Sequence, residues 1–167
     1  MRRLERFASV SRNSLWDWPK VKNPLIVVLN FLVIQICKYL PSLALKNMLY
    51  RAIGVRVGKN AALGLGVQLD IFFPELIEIG DNAIIGYNAT LLAHEFLVDE
   101  FRVGRVKIGA GALIGACSVV LPGVEVGEGA VVSALSLVNK DVPRGWFCGG
   151  VPIRKIKKLT INKQLQS

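Results

Sequence analysis

The sequence predicts a mainly β protein: a coil of short parallel strands wound into a triangular prism, with an N-terminal helical segment ahead of it. Three observations carry this. Aliphatic residues recur every six positions at Ile108, Ile114, Val120, Val126, Val132 and Val138. The residue four places after each is small or β-branched: Ala112, Ser118, Val124, Ala130, Ser136 and Val142. Glycine follows three of the six directly, at Gly109, Gly115 and Gly127. A period of six suits neither an amphipathic helix nor an ordinary strand, but it suits a short strand plus a tight corner, repeated.

The ladder continues upstream. Ile79, Ile85 and Leu91 keep the spacing, as do Val57, Leu63 and Leu69, so twelve units fall in three blocks. The step from Leu69 to Ile79 is ten residues and that from Leu91 to Ile108 is seventeen, so loops are inserted at both places. Three faces of about six residues close one triangular coil, with the aliphatic residue inward and glycine expected to relieve the backbone at the turns. One coil buries too little to stand alone; about four coils suffice. Inserted loops on such a rigid scaffold are where sites collect.

Composition agrees with one domain plus an appendage. The chain has 167 residues, 52% of them hydrophobic, with sixteen glycines and 21 basic against 12 acidic residues. A net +9 fits a solvated basic surface or attraction to polyphosphate or acidic lipid. Nucleic acid is not an expected partner, since neither a recognition helix nor an aromatic-basic strand motif is visible. Cys37, Cys117 and Cys148 are widely spaced, form no CxxC pair and indicate a reducing compartment.

Residues 1–55 form a basic lead followed by two helices. The lead carries Arg2, Arg3, Arg6, Arg12, Lys20 and Lys22, with Trp16 and Trp18 flanking Asp17. Asn23 then Pro24 reads as an N-cap and a first helical position. Leu25 to Leu40 is apolar nearly all round, Pro41 stops it, and Ser42 caps a second helix ending near Gly54. An all-round apolar helix is buried against protein or lies in lipid. This one is short for a span, and no small-x-small cleavage site follows it. Packing on the coil or a subunit neighbour, and peripheral contact with a membrane surface, both remain open for it. The coil itself is expected over 56–148, with an inserted loop at 93–107, and a basic tail over 149–167.

The pieces IGDNAIIGYN (79–88), AHEF (93–96), IGACSVVLPGVEVGEGAVVSALSLVNKDVP (114–143) and GGVPIRKIK (149–157) together resemble the hexapeptide-repeat acyltransferases. The likeness is to the maltose, galactoside and xenobiotic O-acetyltransferase branch. It implies a left-handed parallel β-helix, a homotrimer, acetyl-CoA as co-substrate without a metal, and a small hydroxylic acceptor. His94, the one histidine of the chain, sits at the mouth of the second insertion and matches the family's general base. Imidazole exchanges a proton near neutral pH, which is what deprotonating a hydroxyl during attack on a thioester requires. Glu95, Asp99 and Glu100 are in reach as orienting partners, and Glu95 is the first candidate. Asp70, at the other interruption, resembles an acceptor-side position of related sugar enzymes. The resemblance lays pantetheine along Ala116 and Ala134 and the Asn139–Lys140 turn, with Arg154 and Lys157 on the nucleotide phosphates. Lys155 and Lys158 read as solvated.

Cys117 has no neighbouring base to make it a nucleophile, so direct transfer is expected. A γ-class carbonic anhydrase needs three histidine ligands and is excluded by the single histidine. A non-catalytic β-helix scaffold, or a membrane-docking assembly protein, is the remaining alternative. The expected location is cytoplasmic, at the inner face of the membrane if the helices meet lipid.

Overall fold

Three parallel sheets enclose one core. The computed structural model describes residues 2–10 and 13–159. The first face stacks Arg56–Val57, Ile77–Ile79, Val106–Ile108 and Glu125–Val126. The second stacks Ala62–Leu63, Ile84–Ile85, Leu113–Ile114, Val131–Val132 and Trp146–Gly149, then adds Arg154–Lys158 antiparallel. The third stacks Gln68–Leu69, Thr90–Leu91, Val119–Val120 and Leu137–Val138. Register places ladder residue on ladder residue, as in Leu63 on Ile85 on Ile114 on Val132. All twelve ladder side chains are buried. The six-residue period therefore becomes a column of methyl groups on each face, and removing that area from water drives the coil together.

Glycine has two parts here, and the expected relief of turns is one of them: Gly66, Gly111 and Gly129 take the left-handed backbone at corners (φ 73°, 61° and 61°). A Cβ on Gly115 would stand 2.3 Å from the backbone nitrogen of Ala134 in the next coil, so the glycine permits close stacking. The left-handed backbone falls two residues later, at Cys117 (φ 57°). Its counterpart one coil on is Leu135 (φ 57°) and one coil below is Asn88 (φ 54°), while Asn60 and Asn82 take the same backbone at the corner between the first and second faces.

The ladder also shortens at its far end. Val142 bridges to Val126, sixteen residues away, where a regular repeat would have brought Arg144. The chain then runs through Trp146–Gly149 and turns back in Arg154–Lys158, so residues up to Lys158 of the basic tail are part of the second face. Residues 160–167 of that tail, and Arg12 of the basic lead, lie outside the described residues.

Helix α1 (Trp18–Val21) is a single turn. Helix α2 (Pro24–Tyr39) starts at Asn23, whose side chain accepts from the Leu25 N–H at 2.9 Å. Helix α3 (Leu43–Ala52) starts at Ser42 and closes the end of the prism. The first coil has no coil beneath it, so its carbonyls need other donors. Lys46 Nζ donates to Leu63 and Gly64 at 2.9 and 3.0 Å, Asn47 to Ala61 at 2.7 Å, and Arg51 Nε to Val57 at 2.9 Å. Burial pushes the Lys46 ammonium down from its ordinary value.

The N-terminal lead is not loose. Glu5–Ala8 pairs antiparallel with Glu100–Val103, which pairs antiparallel with His94–Phe96. The second insertion is thus a hairpin, standing off the coil and strapped by the start of the chain.

Candidate active site

The site is built where the repeat stops. Leu69 and Leu91 are neighbours on the third face, one coil apart. Both interruptions leave the coil immediately after them, so Asp70 and the chain leading to His94 emerge side by side at one corner. Asp70 is 1% exposed and fully used. Its Oδ1 accepts from the N–H groups of Phe72 (2.8 Å) and Phe73 (2.9 Å), an Asx-type turn that bends the chain out of the coil. Its Oδ2 accepts from the N–H groups of Ala93 (2.7 Å) and His94 (3.1 Å) and lies 2.5 Å from His94 Nδ1.

Burial by itself raises the Asp70 carboxyl. The hydrogen bond and charge of His94, with the N–H bonds of Phe73 and Ala93, outweigh it and hold the group below the ordinary carboxylate range. A carboxylate there accepts the Nδ1 proton, which leaves Nε2 as the basic nitrogen of the neutral ring. The ring is clamped by aromatic edges: Phe72 at 4.7 Å, Phe96 at 5.0 Å and Phe73 at 6.2 Å between centroids. Trp18 and Phe101 extend this wall. The His94 side chain remains 15% exposed, so it is neither core nor free surface.

Asp70, expected on the acceptor side, is therefore the orienting partner of His94, and Glu95 is not. Glu95 follows His94 in a strand, and successive side chains in a strand point to opposite faces. On that opposite face Glu95 pairs with Arg2. Glu100 pairs with Arg102, and the Asp99 carbonyl accepts from Ser9 N–H. Phe72, Phe73, Phe96 and Arg2 were not foreseen as part of the site. The Phe72–Phe73 doublet inside an interruption was the available signal for two of them.

The donor-side candidates divide into three places. Ala116 and Ala134 stack at the corner between the second and third faces, where Leu135 N–H donates to the Ala116 carbonyl at 2.9 Å. Asn139 and Lys140 stand at the corner after the third face, two coils above the exit of the His94 hairpin. Asn139 Oδ1 is buried with no hydrogen-bond partner among the described residues. Arg154 and Lys157 lie exposed on the final antiparallel strand, and Lys155, read as solvated, sits 5.0 Å over the Trp146 ring. The structure thus joins His94 to Asp70 and Ala116 to Ala134. It leaves these two pairs on different edges of the prism.

The three-faced hexapeptide coil defines a class of coil-built transferases. The family model described as "Bacterial transferase hexapeptide (six repeats)" matches residues 105–140. A Bacillus subtilis (strain 168) protein named "Putative acetyltransferase YvoF" is 51% identical over 157 residues, covering 93% of this chain and 91% of the relative. A galactoside acetyltransferase solved in complex with coenzyme A superposes with TM-score 0.64 at 23% identity, over 93% of this chain and 87% of that one. AntD, an N-acyltransferase from Bacillus cereus solved with dTDP and coenzyme A, gives TM-score 0.59 at 26% identity over 64% of each chain. The chain belongs to the hexapeptide-repeat acyltransferases. The family implies a left-handed winding for the three-faced coil.

Proposed function

We propose that this protein moves an acetyl group from acetyl-CoA to a hydroxyl of a small sugar-like or antibiotic-like acceptor, by direct transfer with His94 as general base. The observation that carries the reading is the Asp70–His94 pair, 2.5 Å apart, with the carboxylate buried and braced by four backbone N–H groups. Asp70 holds the ring so that Nε2 takes the acceptor's proton as its oxygen attacks the thioester carbonyl. The bond to sulfur then breaks and CoA leaves as the thiol. Preorganisation of the base replaces reorganisation of solvent, which is where the rate gain arises.

The donor is proposed along Ala116 and Ala134, past Asn139–Lys140, with its phosphates on Arg154 and Lys157. The orphaned Asn139 Oδ1 would accept an amide N–H there. The relatives solved with coenzyme A support this choice of donor. Because His94 and the Ala116–Ala134 corner occupy different edges, the base of one protomer meets the donor of a neighbour in this reading, and the family resemblance makes that assembly a homotrimer.

Initial-rate measurements of CoA-thiol release against a panel of sugars, nucleotide sugars, amino sugars and antibiotics test the proposal. Intersecting double-reciprocal lines with a hydroxylic acceptor are expected. Parallel lines would contradict direct transfer and point to an acyl-enzyme, for which exposed Cys117 is the candidate nucleophile.

A further inference from the structure

The basic excess of this chain sits entirely in its first 69 residues. They contain 11 of the 21 Lys and Arg, but only Glu5 and Asp17 of the 12 acidic residues, leaving ten of each sign in residues 70–167. Between Asp17 and Asp70 there are seven basic residues and no acidic one. Of these seven only Lys46 is buried.

The same segment turns an apolar face outward. On α2, Val27, Asn30, Ile34 and Cys37 face the prism. Leu25, Val28, Leu29, Leu32, Ile36 and Tyr39 line the opposite side at helical spacing, each between 52% and 81% exposed. The single charge of the helix is Lys38, in its last turn. Trp16, 82% exposed, stands in the turn before α1. A surface helix normally carries its polar residues on the side away from the core. Here both sides are apolar, so the outer one is suited to a second apolar phase.

By length, α2 alone does not cross such a phase. At sixteen residues α2 is about 24 Å long, short of a hydrocarbon core of about 30 Å. No single helix among the described residues is long and apolar enough to span a membrane, and α2 turns 98° from the helical stretch before it. Lys20, Lys22 and Arg56 already pair with Asp17, Glu75 and Glu78, so the charge offered to a partner is that of Lys38, Arg51 and Lys59, which have no ion pair among the described residues.

We propose that α2 and the basic residues around it dock the protein on an anionic lipid surface. The Leu25–Tyr39 stripe enters the boundary between headgroups and acyl chains, and the lysines and arginines meet lipid phosphates. The inner side of α2 is tied to the site, because buried Asn30 donates to the Ile71 carbonyl at 2.9 Å, next to Asp70. Docking therefore holds the His94 corner near the lipid plane without rearranging it.

The test is flotation of the full chain with vesicles of phosphatidylcholine, or of phosphatidylcholine mixed with phosphatidylglycerol. Binding is expected to the anionic vesicles, to be weak to the neutral ones, and to fall as ionic strength rises. Leu29→Glu with Leu32→Glu should abolish flotation while leaving circular dichroism and CoA-thiol release unchanged. Lys38→Gln with Lys59→Gln, which spares the apolar stripe, should weaken binding about fivefold per charge. The proposal is overturned if the folded protein floats with neither vesicle, or if the charge-neutralised variant binds as the parent does. It is equally overturned if the double-Glu variant has a lower particle mass by light scattering without lipid, since the face would then be covered by a second copy.

Discussion

The regular coils and the two places where they are interrupted obey opposite rules, though one chain builds both. In the coils every position answers to the repeat: the ladder residue is apolar and buried, and the next is often glycine because the neighbouring backbone passes close by. In the interruptions, 70–76 and 92–105, that pattern ends and polar side chains take individual partners, as Glu95 does with Arg2 and Glu100 with Arg102. Asp70 alone takes four backbone N–H groups and a ring nitrogen. The coils hold position by many interchangeable contacts, whereas the site depends on a few that cannot be exchanged.

Substitutions should separate the two kinds of region. Ile114→Ala, in the middle of the second-face column, removes buried methyl groups and should cost about 2–5 kcal/mol of stability, read from a denaturant or thermal transition. Activity per folded molecule should be nearly unchanged. Asp70→Asn should show the reverse balance. It retains the shape but sets an amide donor against the N–H groups of Ala93 and His94 and releases the ring from its tautomer. CoA-thiol release should fall by about 100-fold, with a loss of about 1–3 kcal/mol from the mismatched buried donors.

Asp70 also sets a pH dependence. Its carboxyl is depressed in the folded protein, so its stabilisation is fully present above the unfolded carboxylate value and is lost as pH falls through the folded one. Acid unfolding of the parent should therefore contain a proton uptake that Asp70→Asn lacks, measurable by comparing their midpoints below pH of about 4. Of the site substitutions, the smallest effect on turnover is expected at Glu95→Gln. That partly buried ion pair with Arg2 lies on the face of the hairpin away from His94, so turnover should change by less than about threefold, while stability falls by about 1–3 kcal/mol.

The sequence made the coils legible because their signal is repeated. Each of the ladder residues from Val57 to Val138 reports the same inward direction, so no one of them has to be read correctly. The site was legible only in part. His94 stood out by being unique and by its place at an insertion. Nearness in sequence offers Glu95, Asp99 and Glu100 as partners, whereas nearness in space selects Asp70. The repeat already held the better answer: Leu69 and Leu91 stack, hence whatever follows them shares a corner, and Asp70 follows the first of them directly. What the repeat could not give was the end of the coil. The shortened turn at Val142 and the returning strand Arg154–Lys158 break the period, and the closing of the first coil by Lys46, Asn47 and Arg51 depends on unpaired carbonyls that no pattern of side chains displays.

The most direct test of the account is the rate of CoA-thiol release by His94→Ala beside the parent protein, both matched for thermal midpoint and particle mass. The account predicts a loss of about 10²–10⁴-fold with both physical properties preserved. An equal rate would show that the imidazole takes no proton from the acceptor, and the chemistry would have to be sought elsewhere on the coil.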